Sequence, residues 1–166
     1  MAVLVNTSTR VLRQSAAVAL VLSAPAYAQD TDHYDQLVEA YLSCFLGGGD
    51  AAAVTTSLGE QGWTYDPPQD GLIVALPSTG ETAFALIAED GSYCHAESME
   101  FGTEKVTELL ALSMLGVEIE LPPPVPGDDG CDLYDLGNGI TATVNGGDTP
   151  GCSSDTTSAV LFRFAP

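Results

Sequence analysis

Residues 71–98, GLIVALPSTGETAFALIAEDGSYCHAES, hold three apolar runs separated by turn chemistry, and their reading decides the fold. Leu72–Leu76 is a continuous apolar run, and Pro77-Ser78-Thr79-Gly80 starts a bend with a proline. Thr82–Ala88 and Ser92–Ser98 follow, so the stretch predicts three consecutive strands. The register of the second hairpin depends on Glu89-Asp90-Gly91. A two-residue Asp-Gly turn would pair Leu86 with His95 and Phe84 with Glu97. A three-residue loop with Gly91 left-handed pairs Leu86 with Cys94 and Phe84 with Ala96. One residue of slip exchanges the faces. The apolar pattern selects the three-residue loop, which puts Phe84, Leu86, Ala88, Cys94 and Ala96 on one face and Tyr93, His95 and Glu97 on the other.

Upstream, two helices are predicted. Asp30, Thr31 and Asp32 offer N-cap oxygens, and Tyr34, Leu37, Val38, Tyr41, Leu42 and Phe45 recur at helical spacing. Gly47-Gly48-Gly49 ends that helix, and Cys44 lies at the edge of its apolar stripe. Asp50 caps a shorter helix through Val54 and Leu58, stopped at Gly62. Downstream, Thr103 is placed to cap a third helix with Val106, Leu109, Leu110, Met114 and Val117 as its stripe. Leu121-Pro122-Pro123-Pro124-Val125-Pro126 reads as a stiff spacer. The residues beyond it are too few for a separate core, so one domain is expected over 29–166. Asp132–Leu136 and Ile140–Val144 flank Gly137-Asn138-Gly139, a three-residue loop that pairs Leu136 with Ile140 and Tyr134 with Ala142. A polar loop, Asn145–Ser158, leads to a last strand with Val160, Phe162 and Phe164 alternating. The expected class is α+β: an antiparallel sheet of two three-strand meanders, packed by an N-terminal helical hairpin and a central helix.

Residues 1–28 have the form of a secretory signal peptide. Arg10 and Arg13 are its basic region, Ala16–Leu22 its short apolar core, and Ala26-Tyr27-Ala28 its cleavage motif. The apolar run is shorter than the roughly 20 residues of a spanning helix, and no later segment reaches that length. Cleavage after Ala28 would start the chain at Gln29 in the periplasm or the medium of a bacterium. No cysteine follows the cleavage position to carry a lipid. Four cysteines in an exported chain form two disulfides with three possible connectivities. The core-facing positions of Cys44 and Cys94 favour Cys44–Cys94, which leaves Cys131–Cys152 to close the polar loop. Their spacing fits no zinc signature, and no metal or other cofactor is expected.

From residue 29 onward only Lys105 and Arg163 stand against 23 acidic residues, a formal charge of about −21. That balance argues against nucleic acid and anionic lipid, and it admits a basic protein partner, cations or a saline medium. Oligomeric state is not legible. No nucleophile elbow, phosphate loop or zinc-protease motif is present. Cys94-His95 is no catalytic dyad, because adjacent strand residues point to opposite faces. His95 with Tyr93 and Glu97 forms a polar patch, and Trp63 with Tyr65 is either a recognition patch or a core anchor. Asp128, Asp129, Asp132 and Asp135 cluster near Asn138, but without EF-hand spacing. The leading reading is a non-catalytic exported binding or accessory protein. The alternatives are a hydrolase-type enzyme using His95 with Glu97 or Asp132, and a calcium-binding envelope protein.

Tyr34–Ser98 resembles small uncharacterised periplasmic proteins of Gram-negative bacteria. The shared features are an amphipathic helix ending with Cys44, a second helix closed by Gly62-Trp63, and strands leading to Gly91-Ser92-Tyr93-Cys94. The resemblance implies an exported domain with a helix–strand disulfide, and it carries no activity, cofactor or functional residue.

Overall fold

Asp50 sets the helical hairpin that opens the chain. In the computed structural model, which describes residues 27–80 and 82–165, its carboxylate accepts from the Ala52 and Ala53 N–H groups at 2.9 and 3.2 Å. That satisfies two orphan donors at the start of α2, Ala51–Glu60. The preceding helix α1 spans Tyr27–Gly47. It begins before the expected cap at Asp30–Asp32, because nothing from Tyr27 to Asp32 breaks a helix and its first turns favour acidic side chains. The leader, apart from Tyr27 and Ala28, lies outside the described residues. Leu37, Ala40, Tyr41 and Cys44 form the fully buried stripe of α1.

The strands are β1 (Thr64–Tyr65), β2 (Leu72–Leu76), β3 (Ala83–Ala88) and β4 (Tyr93–Ser98). After α3 (Thr103–Gly116) come β5 (Val125–Pro126), β6 (Asp132–Gly137), β7 (Ile140–Asn145) and β8 (Ser158–Phe164). They form one antiparallel sheet in the order β1-β2-β3-β4-β8-β7-β6-β5. The fold is therefore mixed α+β, with both halves of the chain joined at the β4–β8 pair. The proline spacer ends in β5, a two-residue edge strand, which suits residues that cannot donate to a ladder.

The face of β3 differs from expectation. Leu86 pairs with His95 and Phe84 with Glu97, while Ala85 pairs with Ala96 and Ile87 with Cys94. Gly91 is left-handed as expected (φ 74°). The loop, however, also takes in Ser92, whose N–H donates to the Asp90 carboxylate at 2.9 Å; the Ser92 side chain first, and this N–H second, hold that carboxyl below its ordinary range. The physical reason lies in the layer above. Ala75, Ala85, Ala96 and Val160 make one continuous row across β2, β3, β4 and β8, all wholly buried. Small side chains there let α1 approach the sheet closely. Phe84 and Leu86, larger and more apolar, stand half-buried on the opposite face. Size, not hydrophobicity alone, decides which side meets the helices.

Ile73, Ile87, Cys94, Phe162, Ala142 and Tyr134 form the next row on the helix side. There Cys44 of α1 bonds Cys94, with Cα atoms 5.6 Å apart, and Tyr41 packs on Phe162 with ring centroids 6.3 Å apart. Cys131–Cys152 is the second bridge, with Cα atoms 4.9 Å apart. Two further details depart from the sequence reading. The β6–β7 turn is Asn138-Gly139, both at positive φ, so Gly137 rather than Leu136 faces Ile140 across a bulge; Tyr134 does face Ala142. Gly102, not Thr103, occupies the cap position of α3. Its N-terminus is instead tied by the Thr103 N–H to the Ser154 carbonyl at 2.9 Å, and Val117 falls just past its end.

Candidate functional site

His95 and Glu97 lie two residues apart on β4 and so share the face away from the helices. His95 Nε2–H donates to Glu97 Oε2 at 3.0 Å. The other carboxylate oxygen accepts from the Asp148 N–H at 3.0 Å. Glu97 is only 3% exposed, because the Asn145–Ser158 loop runs over it. Both oxygens are thus occupied, and the carboxylate anchors the loop that Cys131–Cys152 closes. The Phe84 ring lies nearly parallel to the imidazole at a centroid distance of 6.4 Å, and Leu161 is its cross-strand neighbour. A histidine that activates a protein nucleophile would hold a hydroxyl or thiol at its free nitrogen. Among the described residues, His95 has no hydrogen-bond partner except Glu97. Asp132 belongs to the opposite pleat, paired with Val144 in the row of Val160 and Ala96, so it does not join His95. Tyr93 shares the face of His95, one pleat further toward the turn, and pairs with Arg163.

The other sequence candidates separate. Trp63 is a core anchor, 4% exposed, its Nε1–H donating to Glu39 Oε2 at 3.1 Å. Tyr65 stays at the surface and donates its hydroxyl to the Thr55 carbonyl; partial burial raises its pKa. Asp129 and Asp135 accept from the N–H groups of Cys131 and Gly137 in their own turns, each at 2.9 Å. Among the described residues, no three His, Cys, Asp or Glu side chains converge to hold a metal ion.

A second place carries more charge. Asp32, Asp35 and Glu39 recur along one side of α1 and line a groove of about 280 Å³ with Gln36, Trp63 and Thr79. The helix supplies the acids, Gly62 (φ 89°) ends the α2 segment and turns the chain into Trp63, and the β2–β3 loop supplies Thr79. Gln36 Nε2 donates to the Thr79 carbonyl at 2.6 Å and to its hydroxyl at 3.0 Å. The Gln36 Oε1 atom is buried and accepts no hydrogen bond. No Lys or Arg lines the groove. The sequence reading took Asp32 only as a cap residue and passed over Asp35 and Glu39, although their spacing marks one helical face. Their meeting with Trp63 and Thr79 depends on contacts made 24 and 43 residues away.

The chain matches no family model, no curated protein and no solved structure. Site chemistry alone therefore has to support any functional reading. Among the described residues, no helix is long and apolar enough to cross a membrane.

Proposed function

We propose that this chain is an exported, non-catalytic binding protein whose partner is a basic protein. One observation carries the reading: its negative charge is almost uncompensated. Among the described residues only Glu97 and Glu108 make ion pairs, with His95 and Lys105. Lys105 is already engaged, bonded to Glu108 at 2.9 Å and lying over the Tyr34 ring. An acidic field of this size accelerates encounter with cationic partners and repels acidic ones. Two disulfides, using all four cysteines, support residence in an oxidising compartment such as the periplasm or the medium, as does the leader-like sequence of residues 1–28.

The test is calorimetric titration with a lysine-rich peptide and a glutamate-rich peptide of equal length, at low salt and at about 1 M salt, where the Debye length is about 3 Å. Saturable binding of the basic peptide alone, weakened at high salt, is expected. Equal binding of both peptides, or of neither, contradicts the reading.

The His95–Glu97 bond favours one second reading, a hydrolytic centre on the outer sheet face. Retained turnover in a His95→Ala variant, for any substrate found in a broad hydrolase screen, removes it.

A further inference from the structure

We propose that the outer face of the sheet is a self-association surface, on which a second copy of this chain stacks face to face. The helices pack on the side that holds Cys94 and Phe162. On the outer side one cross-strand row runs from Val74 through Leu86, His95, Leu161 and Leu133 to Val125. An antiparallel sheet with one solvated face alternates apolar and polar residues. Leu72–Leu76 and Ala83–Ala88 are apolar at every position, as in strands covered on both sides. The Asn145–Ser158 loop covers the Glu97 end of the face. Seven strands at about 4.8 Å spacing, each with about five remaining residues at about 3.4 Å, leave an area of about 34 by 17 Å. Two copies together would bury about 1,200 Å², the lower bound of stable specific interfaces.

Charge identifies the occupant. At the outer-face positions of β2, β3, β4, β8, β7 and β6, the carboxylates are Glu97, already bonded to His95 and the Asp148 N–H, and Asp135. The same face carries Arg163, exposed, opposite Tyr93 and in no ion pair among the described residues. A basic partner gains little from so few acids. A second copy, repelled elsewhere by a formal charge of about −21 from residue 29 onward, meets an acid-poor surface here. An extended apolar sheet is matched in shape by another, stacked about 10 Å away. A two-fold contact also requires a patch complementary to itself, and here Arg163 has an aromatic ring and a carboxylate on its own surface. Addition at the sheet edges is blocked, because β1 and β5 hold two residues each and β5 ends in proline.

Sedimentation velocity of the intact protein from about 1 μM to about 1 mM, at low salt and at about 1 M salt, tests the proposal. A monomer–dimer equilibrium that moves toward dimer as salt rises is expected, because screening removes the repulsion between copies while the apolar contact persists. Leu161→Gln, at the middle of the row, should weaken it about tenfold, and Arg163→Gln, at an exposed position, about threefold. Leu112→Ser, on the exposed side of α3 (62% exposed), should leave it unchanged, and thermal unfolding verifies that each variant is folded. A protein that stays monomeric at about 1 mM in both salts overturns the proposal. A dimer that ignores both outer-face variants, or that Leu112→Ser weakens, overturns the choice of face. A dimer that dissociates as salt rises overturns the apolar contact. A monomer whose Leu86 and Leu161 methyl resonances are shielded from a soluble paramagnetic probe gives the face to another segment of the chain or to a co-purified apolar ligand, and overturns the second copy. Salt also separates this proposal from the binding reading: the basic peptide is lost and the dimer gained as salt rises, so each can fail without the other.

Discussion

Removing the Cys44–Cys94 bridge should destabilise the protein more than removing Cys131–Cys152, and the structure gives the margin. The bridges span 50 and 21 residues of sequence. Loop-closure entropy then assigns them about 4 and about 3 kcal/mol. Burial widens the gap. Cys44 and Cys94 are 0% and 1% exposed, packed between α1 and the central strands. Replacing both with alanine also removes two sulfur atoms from the core, at about 1 kcal/mol each. Cys131 is buried but Cys152 is only partly so, and the packing loss there is correspondingly small. The double variant Cys44→Ala/Cys94→Ala should therefore lose about 6 kcal/mol, and Cys131→Ala/Cys152→Ala about 3–4 kcal/mol, against a typical domain stability of about 5–15 kcal/mol. Urea unfolding followed by Trp63 fluorescence measures both. Equal losses, or a larger loss at the outer bridge, would refute the reasoning from loop length and burial.

Three other perturbations follow from single groups. The Tyr41 hydroxyl is fully buried and makes no hydrogen bond, so Tyr41→Phe should gain about 1–2 kcal/mol in urea unfolding. Burial also raises the Tyr41 pKa above its ordinary 10.0. Above pH 10 the unfolded chain therefore loses this proton while the folded chain keeps it. Stability present below pH 10 is then lost as pH rises, by up to about 1.4 kcal/mol per pH unit from this group, and Tyr41→Phe should show a shallower alkaline decline. A Cβ on Gly91 would lie 1.8 Å from the Gly49 carbonyl oxygen, at φ +74°. Gly91→Ala should cost about 3 kcal/mol or more, whereas Gly130→Ala, at φ +82° with open space around it, should cost only the left-handed penalty of about 1–2 kcal/mol by thermal unfolding. Glu97→Ala frees both His95 and the Asp148 N–H. It should cost about 2–4 kcal/mol and speed amide exchange at Asp148 while β4 remains protected.

Features set by local chemistry were legible in the sequence, and features set by distant partners were not. Asp50 caps α2 with its own carboxylate, so its role could be read from one residue and its successors. The Cys44–Cys94 pairing also emerged, because Cys44 sits at the helical edge of an apolar stripe and Cys94 alternates with His95. The face of β3 did not emerge. In Ala83-Phe84-Ala85-Leu86-Ile87, hydrophobicity ranks Phe84 and Leu86 as core, yet a helix resting on the sheet required the alanines there. That choice depends on how closely α1 approaches, which no local pattern encodes. The groove behaves likewise. Asp32, Asp35 and Glu39 form a readable helical face, but Trp63 reaches Glu39 from the end of the second helix and Thr79 reaches Gln36 from a strand loop. His95–Glu97 was visible as a strand pair, while the Asp148 contact that closes the carboxylate required the loop to fold back.

The most direct measurement is calorimetric titration of the intact protein with a lysine-rich peptide at low salt and again at about 1 M salt. Saturable binding at low salt that weakens strongly as salt rises is expected. No binding at low salt, or binding that salt leaves unchanged, would contradict the acidic surface as the feature that recognises a basic partner.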